Sequence, residues 1–170
     1  MKQKTNSMRL LESRHIPYQV HEFSTEIRSA EDAAQVMGVP PDQVFKTLVV
    51  LRERGRALLV MVPGNKALDL KLLAKAAGEK KLHMATHNEA EAVTGLEVGG
   101  ISALALLNTG LDVYADEAIL SLPLVYVSAG SRGINLSLRP RDLLQVTRAR
   151  TGPVCGAQPQ EDTVAREEAH

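Results

Sequence analysis

Two apolar, largely β-branched runs, "QVFKTLVVL" at 43–51 and "ALLVMV" at 57–62, are held five residues apart by "RERGR". Runs of this kind around a short charged turn containing glycine predict a β-hairpin. The fold must therefore carry a sheet, and everything else in the chain has to cover it. A helix is predicted over 7–15, with Met8, Leu10 and Leu11 as its apolar positions and Pro17 barring its continuation. "YQVHEF" reads as a short strand. "SAEDAAQVMG" reads as a helix capped by Ser29, with Asp32 completing a capping box and Gly38 closing it.

Beyond the hairpin, "LDLKLLAKAAG" predicts a helix with Asp69 as cap and a buried stripe of Leu70, Leu73, Ala74 and Ala77. "KLHMA" is strand-like and "NEAEAV" makes one or two helical turns. "SALALLN" and "LDVYA" predict a second hairpin across "TG", and "DEAIL" a short helix. "LVYVSAG" and "INLSL" are the last strands, and "RPRDLLQVT" a closing helix with Pro140 near its start. Hairpins mixed with isolated helices argue for an α+β fold: a single domain with a mixed, mostly antiparallel, barrel-like sheet and flanking helices. The domain is expected over 1–149. From Arg150 onward Gly, Pro, Gln and Glu dominate, so 150–170 is expected to be a disordered tail.

With aromatics at 3% and no tryptophan, the core must be aliphatic, and 44% hydrophobic residues suffice to build one. Zero formal net charge argues against broad, non-specific nucleic-acid binding, and no DNA partner is expected, although local basic clusters occur. One cysteine, Cys155, excludes an internal disulfide and fits a reducing compartment. No cleavage signature and no window near the ~20 apolar residues of a membrane span are visible, so a cytoplasmic protein without a membrane partner is expected.

The familiar catalytic signatures are missing. His83 and His87 are four apart but an apparent strand end falls between them, there is no HExxH, and Cys155 has no cysteine partner, so neither a metal nor another cofactor is expected. "GLEVGG" is not a dinucleotide fingerprint, and neither Ser102 nor Ser128 sits in GxSxG. Two features remain. Strand alternation puts Lys46 on a face with Val44, Leu48 and Val50, which suits either an edge-strand lysine or a site lysine. "GLEVGGIS" (95–102) and "SAGSRG" (128–133) are glycine-rich loops, either ordinary tight turns or sources of backbone N–H groups for an oxyanion or phosphate.

"DQVFKTLVV", "LDLKLLAKAAGEKKLHMA", "TGLEVGGIS" and "VYVSAGSRG", in that order, resemble the YbaK family, the prolyl-tRNA synthetase-associated editing domain, from about Met8 to Arg148. The sequence looks most like its freestanding bacterial branch, which deacylates Cys-tRNA(Pro). The resemblance implies a metal-free editing site. Lys46 matches the site lysine and Thr47 follows it. Gly99, Gly100, Ile101 and Ser102 match the glycine loop, with Lys46, Gly100 and Ser102 as its catalytic positions. Ser128, Gly130 and Arg132 belong to the second loop. Phe23 stands where the family carries a tyrosine, Asn135 where it carries an aspartate, and Ala103 where a proline often follows GGIS. The implied substrate is the 3′ aminoacyl-adenosine end of a mischarged tRNA, with prolyl-tRNA synthetase as a possible partner. The implied chemistry is attack by the substrate's own thiol on its ester. Clearance of Ala-tRNA(Pro) or another small aminoacyl-tRNA is the alternative within the family. A tRNA- or synthetase-binding module without chemistry is the alternative outside it.

Overall fold

A computed structural model describes residues 4–156. The first helix, α1 (Asn6–Ser13), is capped by Thr5 and buries Met8 and Leu11. Then come β1 (Gln19–Glu22), α2 (Ala30–Met37), β2 (Phe45–Arg52) and β3 (Leu58–Pro63), followed by α3 (Leu70–Ala77), β4 (Leu82–Met84) and α4 (His87–Thr94). The chain closes with β5 (Asp112–Asp116), β6 (Val125–Ser128), β7 (Ile134–Leu138), α5 (Pro140–Thr147) and β8 (Arg150–Gly152). Ser29 caps α2 as expected, accepting from the Asp32 N–H at 3.0 Å. The reciprocal half of a capping box forms instead at α4, where Thr86 and Glu89 exchange both bonds. Glutamate is one methylene longer than aspartate and reaches back to the cap.

The predicted hairpin is the centre of the molecule. β2 and β3 run antiparallel from Phe45 opposite Pro63 to Val50 opposite Leu58. They belong to a five-stranded sheet in the order β4-β2-β3-β5-β8, while β1-β7-β6 forms a second, antiparallel sheet. The α+β architecture holds, but the barrel-like closure does not form. Among the described residues, one parallel bridge, from Val44 to Tyr126, links the two sheets through the backbone. Every residue of β3 is buried, because both faces of its sheet are covered. One face packs Phe45, Val49, Leu59 and Met61 against the second sheet, α1 and α5. The other packs Val50, Val60 and Val62 under Leu73 and Ala74 of α3. Strands buried on both sides lose alternation and read as continuous apolar runs.

Two sequence expectations fail in one place. "SALALLN" is not a strand: Leu104–Thr109 forms 3-10 turns with Leu104 and Leu106 buried, and β5 pairs parallel with β3. Nor is the chain irregular from Arg150. β8 pairs parallel with β5, and Val154 is fully buried. The two edges of β5 are thus taken by β3 and β8, which leaves no place for an antiparallel partner. The signal that local periodicity could not carry is Asp116. Its Oδ1 accepts from the N–H of Val154 (3.1 Å) and Cys155 (3.2 Å), and its Oδ2 from Ala118 (3.0 Å). The expectation of disorder beyond Gly156 lies outside the described residues. Asp116→Ala strands three buried or half-buried donors and is expected to cost about 3 kcal/mol. Thermal unfolding should fall by roughly 6–12 °C, and an unchanged midpoint would contradict the clip.

Candidate functional site

The site follows from the way the sheets part. On the edge of β2 away from β3, β4 pairs with Val50–Arg52, and β6 is bridged to it at Val44 through Tyr126. Between those contacts no strand is paired to this edge among the described residues, and a cavity of about 720 Å³ opens there. It opens on the edge of the strand, so both side-chain parities of residues 44–49 line it, Lys46 and Thr47 among them. This resolves the place of a lysine on an apolar face. Lys46 is half-buried between the patch under α2, which includes Val44, and the patch under α3, which includes Val50.

Three helices present their N-terminal ends to the cavity wall: α2 through Ser29 and Ala30, α3 through Asp69 and Leu70, and α4 through His87. Helix N-termini carry partial positive charge. Arg28 and Lys71 add cationic groups at the wall, against Glu31 and Asp69. Asp69 is committed to its helix, with Oδ1 accepting from the N–H groups of Lys71 (2.9 Å) and Leu72 (3.1 Å). Phe23, Ile27 and Val98 supply apolar wall. Among the described residues, no three His, Cys, Asp or Glu lie together as a metal set, and no helix is long and apolar enough to cross a membrane.

The model of the aminoacyl-tRNA editing domain matches residues 24–146. The chain belongs to that family. A relative from Enterococcus faecalis, provisionally named Cys-tRNA(Pro)/Cys-tRNA(Cys) deacylase EbsC, is 39% identical over 147 residues, covering 85% of this chain and 89% of its own length. A crystal structure provisionally described as a trans-editing enzyme for prolyl tRNA synthetase is 31% identical, with a TM-score of 0.78 over 92% of this chain and 100% of that one. A proline–tRNA ligase from Thermosipho melanesiensis matches over 140 residues at 26% identity, 76% of this chain but 24% of the ligase.

Within this editing domain, seven of the residues singled out from the sequence line the cavity: Phe23, Lys46, Thr47, Gly99, Ile101, Ser128 and Asn135. Gly100, Ser102, Gly130 and Arg132 do not. The Gly100 N–H already donates to the Glu97 carbonyl at 2.9 Å. A Cβ on Gly100 would lie 2.8 Å from the Arg132 nitrogen and 3.0 Å from the Ser131 carbonyl carbon. This glycine therefore lets the two loops approach each other rather than a ligand. Ser102 is buried behind the loop at 1% exposure, its Oγ without a partner among the described residues. Gly130, at φ +103°, lies against Ala105 and the Ser7 hydroxyl. Arg132 is a clasp: its Nη1 reaches Glu97 Oε2 at 3.2 Å, its Nη2 donates to the Thr25 carbonyl at 2.9 Å, and its stem covers Gly99. Three loops are tied together by that one side chain.

Sequence reasoning missed Gly64 at the cavity. Its Cβ would stand 2.7 Å from the Ala30 Cβ and 3.0 Å from the Val44 carbonyl, so it lets α2 close on the sheet. The "PG" after β3 marks a turn but not that contact. Cys155 is no hidden nucleophile. Burial, reinforced by the Asp116 carboxylate, pushes its thiol up to about 12, so it remains protonated at neutral pH.

Proposed function

We propose that this protein is a trans-editing deacylase that clears Cys-tRNA(Pro), using the substrate's own thiol as nucleophile. The observation that carries the reading is a roomy cavity holding the family's lysine, with its wall formed by helix N-termini and cationic groups. Such a wall suits the phosphates and ester oxygen at a tRNA 3′ end. The need for a second site is physical: cysteine and proline are close in volume, and a binding pocket discriminates weakly between side chains that differ by so little.

The thiol loses its proton and its sulfur attacks the ester carbonyl carbon. A C–S bond forms, the C–O bond to the ribose breaks, and the ribose oxygen takes up a proton. The products are free tRNA and a thiolactone. Holding the reacting groups in line supplies much of the rate, because an intramolecular attack gains a large effective concentration. Lys46 holds the ester or the terminal nucleotide by charge and hydrogen bonding. Among the described residues, the lining serines Ser29 and Ser128 accept from backbone N–H groups, and no cysteine lines the cavity, which fits a substrate that brings its own nucleophile.

The test is release of Cys, Ala and Pro from tRNA(Pro). Cys-tRNA(Pro) should be cleaved well above the buffer rate and Pro-tRNA(Pro) at that rate. A preference for Ala-tRNA(Pro) would move the protein to a branch that activates water. Cleavage of none would leave a binding module.

A further inference from the structure

The strand edge that forms the cavity has a polarity that its register settles. Carbonyls alternate in direction along a strand. The Val44 carbonyl accepts from Gly64 N–H at 2.7 Å, on the β3 side. The Val49 carbonyl accepts from Ala85 N–H at 3.0 Å, on the opposite side. The pairing of β2 with β3 runs without a bulge from residue 45 to 50, so the parity is preserved throughout. Even-numbered residues of β2 thus bond to β3, and Phe45, Thr47 and Val49 turn their main-chain N–H and C=O towards β4 and β6. Phe45 lies next to the bridge to Tyr126, and Val49 is met by Ala85. Thr47 falls between them. Its N–H and its C=O both face the cavity, on a stretch that neither the pairing with β4 nor the bridge to Tyr126 includes.

We propose that Thr47 binds the aminoacyl group through its main chain, pairing with it as one residue of an antiparallel strand would. In such a pair each residue donates one N–H and accepts at one C=O from the residue opposite. An aminoacyl ester offers the complement: an α-ammonium that donates and an ester carbonyl that accepts. The Thr47 carbonyl accepts from the ammonium, and the Thr47 N–H donates to the carbonyl oxygen that becomes the oxyanion. In this arrangement the strand supplies an oxyanion donor, while the Gly100 N–H of the glycine loop is bonded to Glu97. These contacts read only atoms common to all α-amino acids, so the choice of side chain rests with the walls around them. The inference rests on the proposed deacylase reading and names the part of the substrate that the site grips.

Two measurements test it. On the substrate side, the unmodified protein is given Cys-tRNA(Pro) and 3-mercaptopropanoyl-tRNA(Pro), which keeps the thiol and ester but lacks the ammonium. The second should be cleaved with kcat/KM lower by at least about tenfold, after correction for the uncatalysed rates. On the protein side, the α-hydroxy acid of threonine is placed at position 47, exchanging that N–H for an ester oxygen. Because this N–H is outside the β2–β3 ladder, melting should change little while kcat falls on the order of a hundredfold, as for loss of an oxyanion donor. Equal cleavage of the two tRNAs, or full kcat in the backbone ester, would overturn the assignment and leave the deacylase reading standing. Cleavage of no aminoacyl-tRNA at all would overturn both.

Discussion

Gly100→Val is expected to abolish deacylation. The first atom of any side chain at position 100 would sit 2.8 Å from the Arg132 nitrogen and 3.2 Å from the Ser131 Cα. These are backbone atoms and cannot swing aside like the end of a side chain. The loops at 95–102 and 128–133 would have to separate, and Gly99, Ile101 and Ser128 on the cavity wall would move with them. Catalytic geometry tolerates such shifts poorly: a displacement near ~1 Å can cost about a hundredfold. The fold should survive with a penalty of about 1–3 kcal/mol, typical of overpacking. Activity and melting are therefore measured together. A variant that melts normally and still turns over would show that the loop contact is irrelevant to the site.

Lys46→Ala is expected to lower deacylation at least about tenfold, which corresponds to roughly 1.4 kcal/mol of transition-state stabilisation. The half-buried lysine stands on the strand edge that forms the cavity. Its removal takes a charge from the wall without opening a hole in the packed core, since the cavity already adjoins it. Stability should consequently change little. Lys46→Arg restores the charge but presents a planar fork, so partial recovery is expected and full recovery is not. Wild-type turnover in Lys46→Ala would remove the lysine from the mechanism.

Much of this was legible in the residues. The hairpin of β2 and β3 was plain because two strong β-branched runs flank a charged turn, and the caps at Ser29 and Asp69 because local side-chain bonds follow sequence spacing. What escaped were features set by distant partners. The 3-10 turns of Leu104–Thr109 look like a strand because their leucines are buried from several sides. β8 has only three residues and is held by Asp116, 38 positions before Val154. The same divide runs through the site. Lys46 was conspicuous as a charge in an apolar run, and the glycine loops by composition. That Gly100 serves a loop–loop contact, that Arg132 ties three loops, and that Thr47 occupies an unpaired stretch of strand edge depend on the parting of two sheets, which no local pattern records.

The most direct test of the central claim is a single-turnover comparison of Cys-tRNA(Pro) with Ser-tRNA(Pro). The two side chains differ by one atom, so the cavity cannot separate them well by size. A thiol of pKa near ~8.5 yields a nucleophilic thiolate far more readily than an alcohol does. The account predicts rapid release of cysteine and a serine ester that survives close to its buffer lifetime. Comparable rates on the two would contradict it.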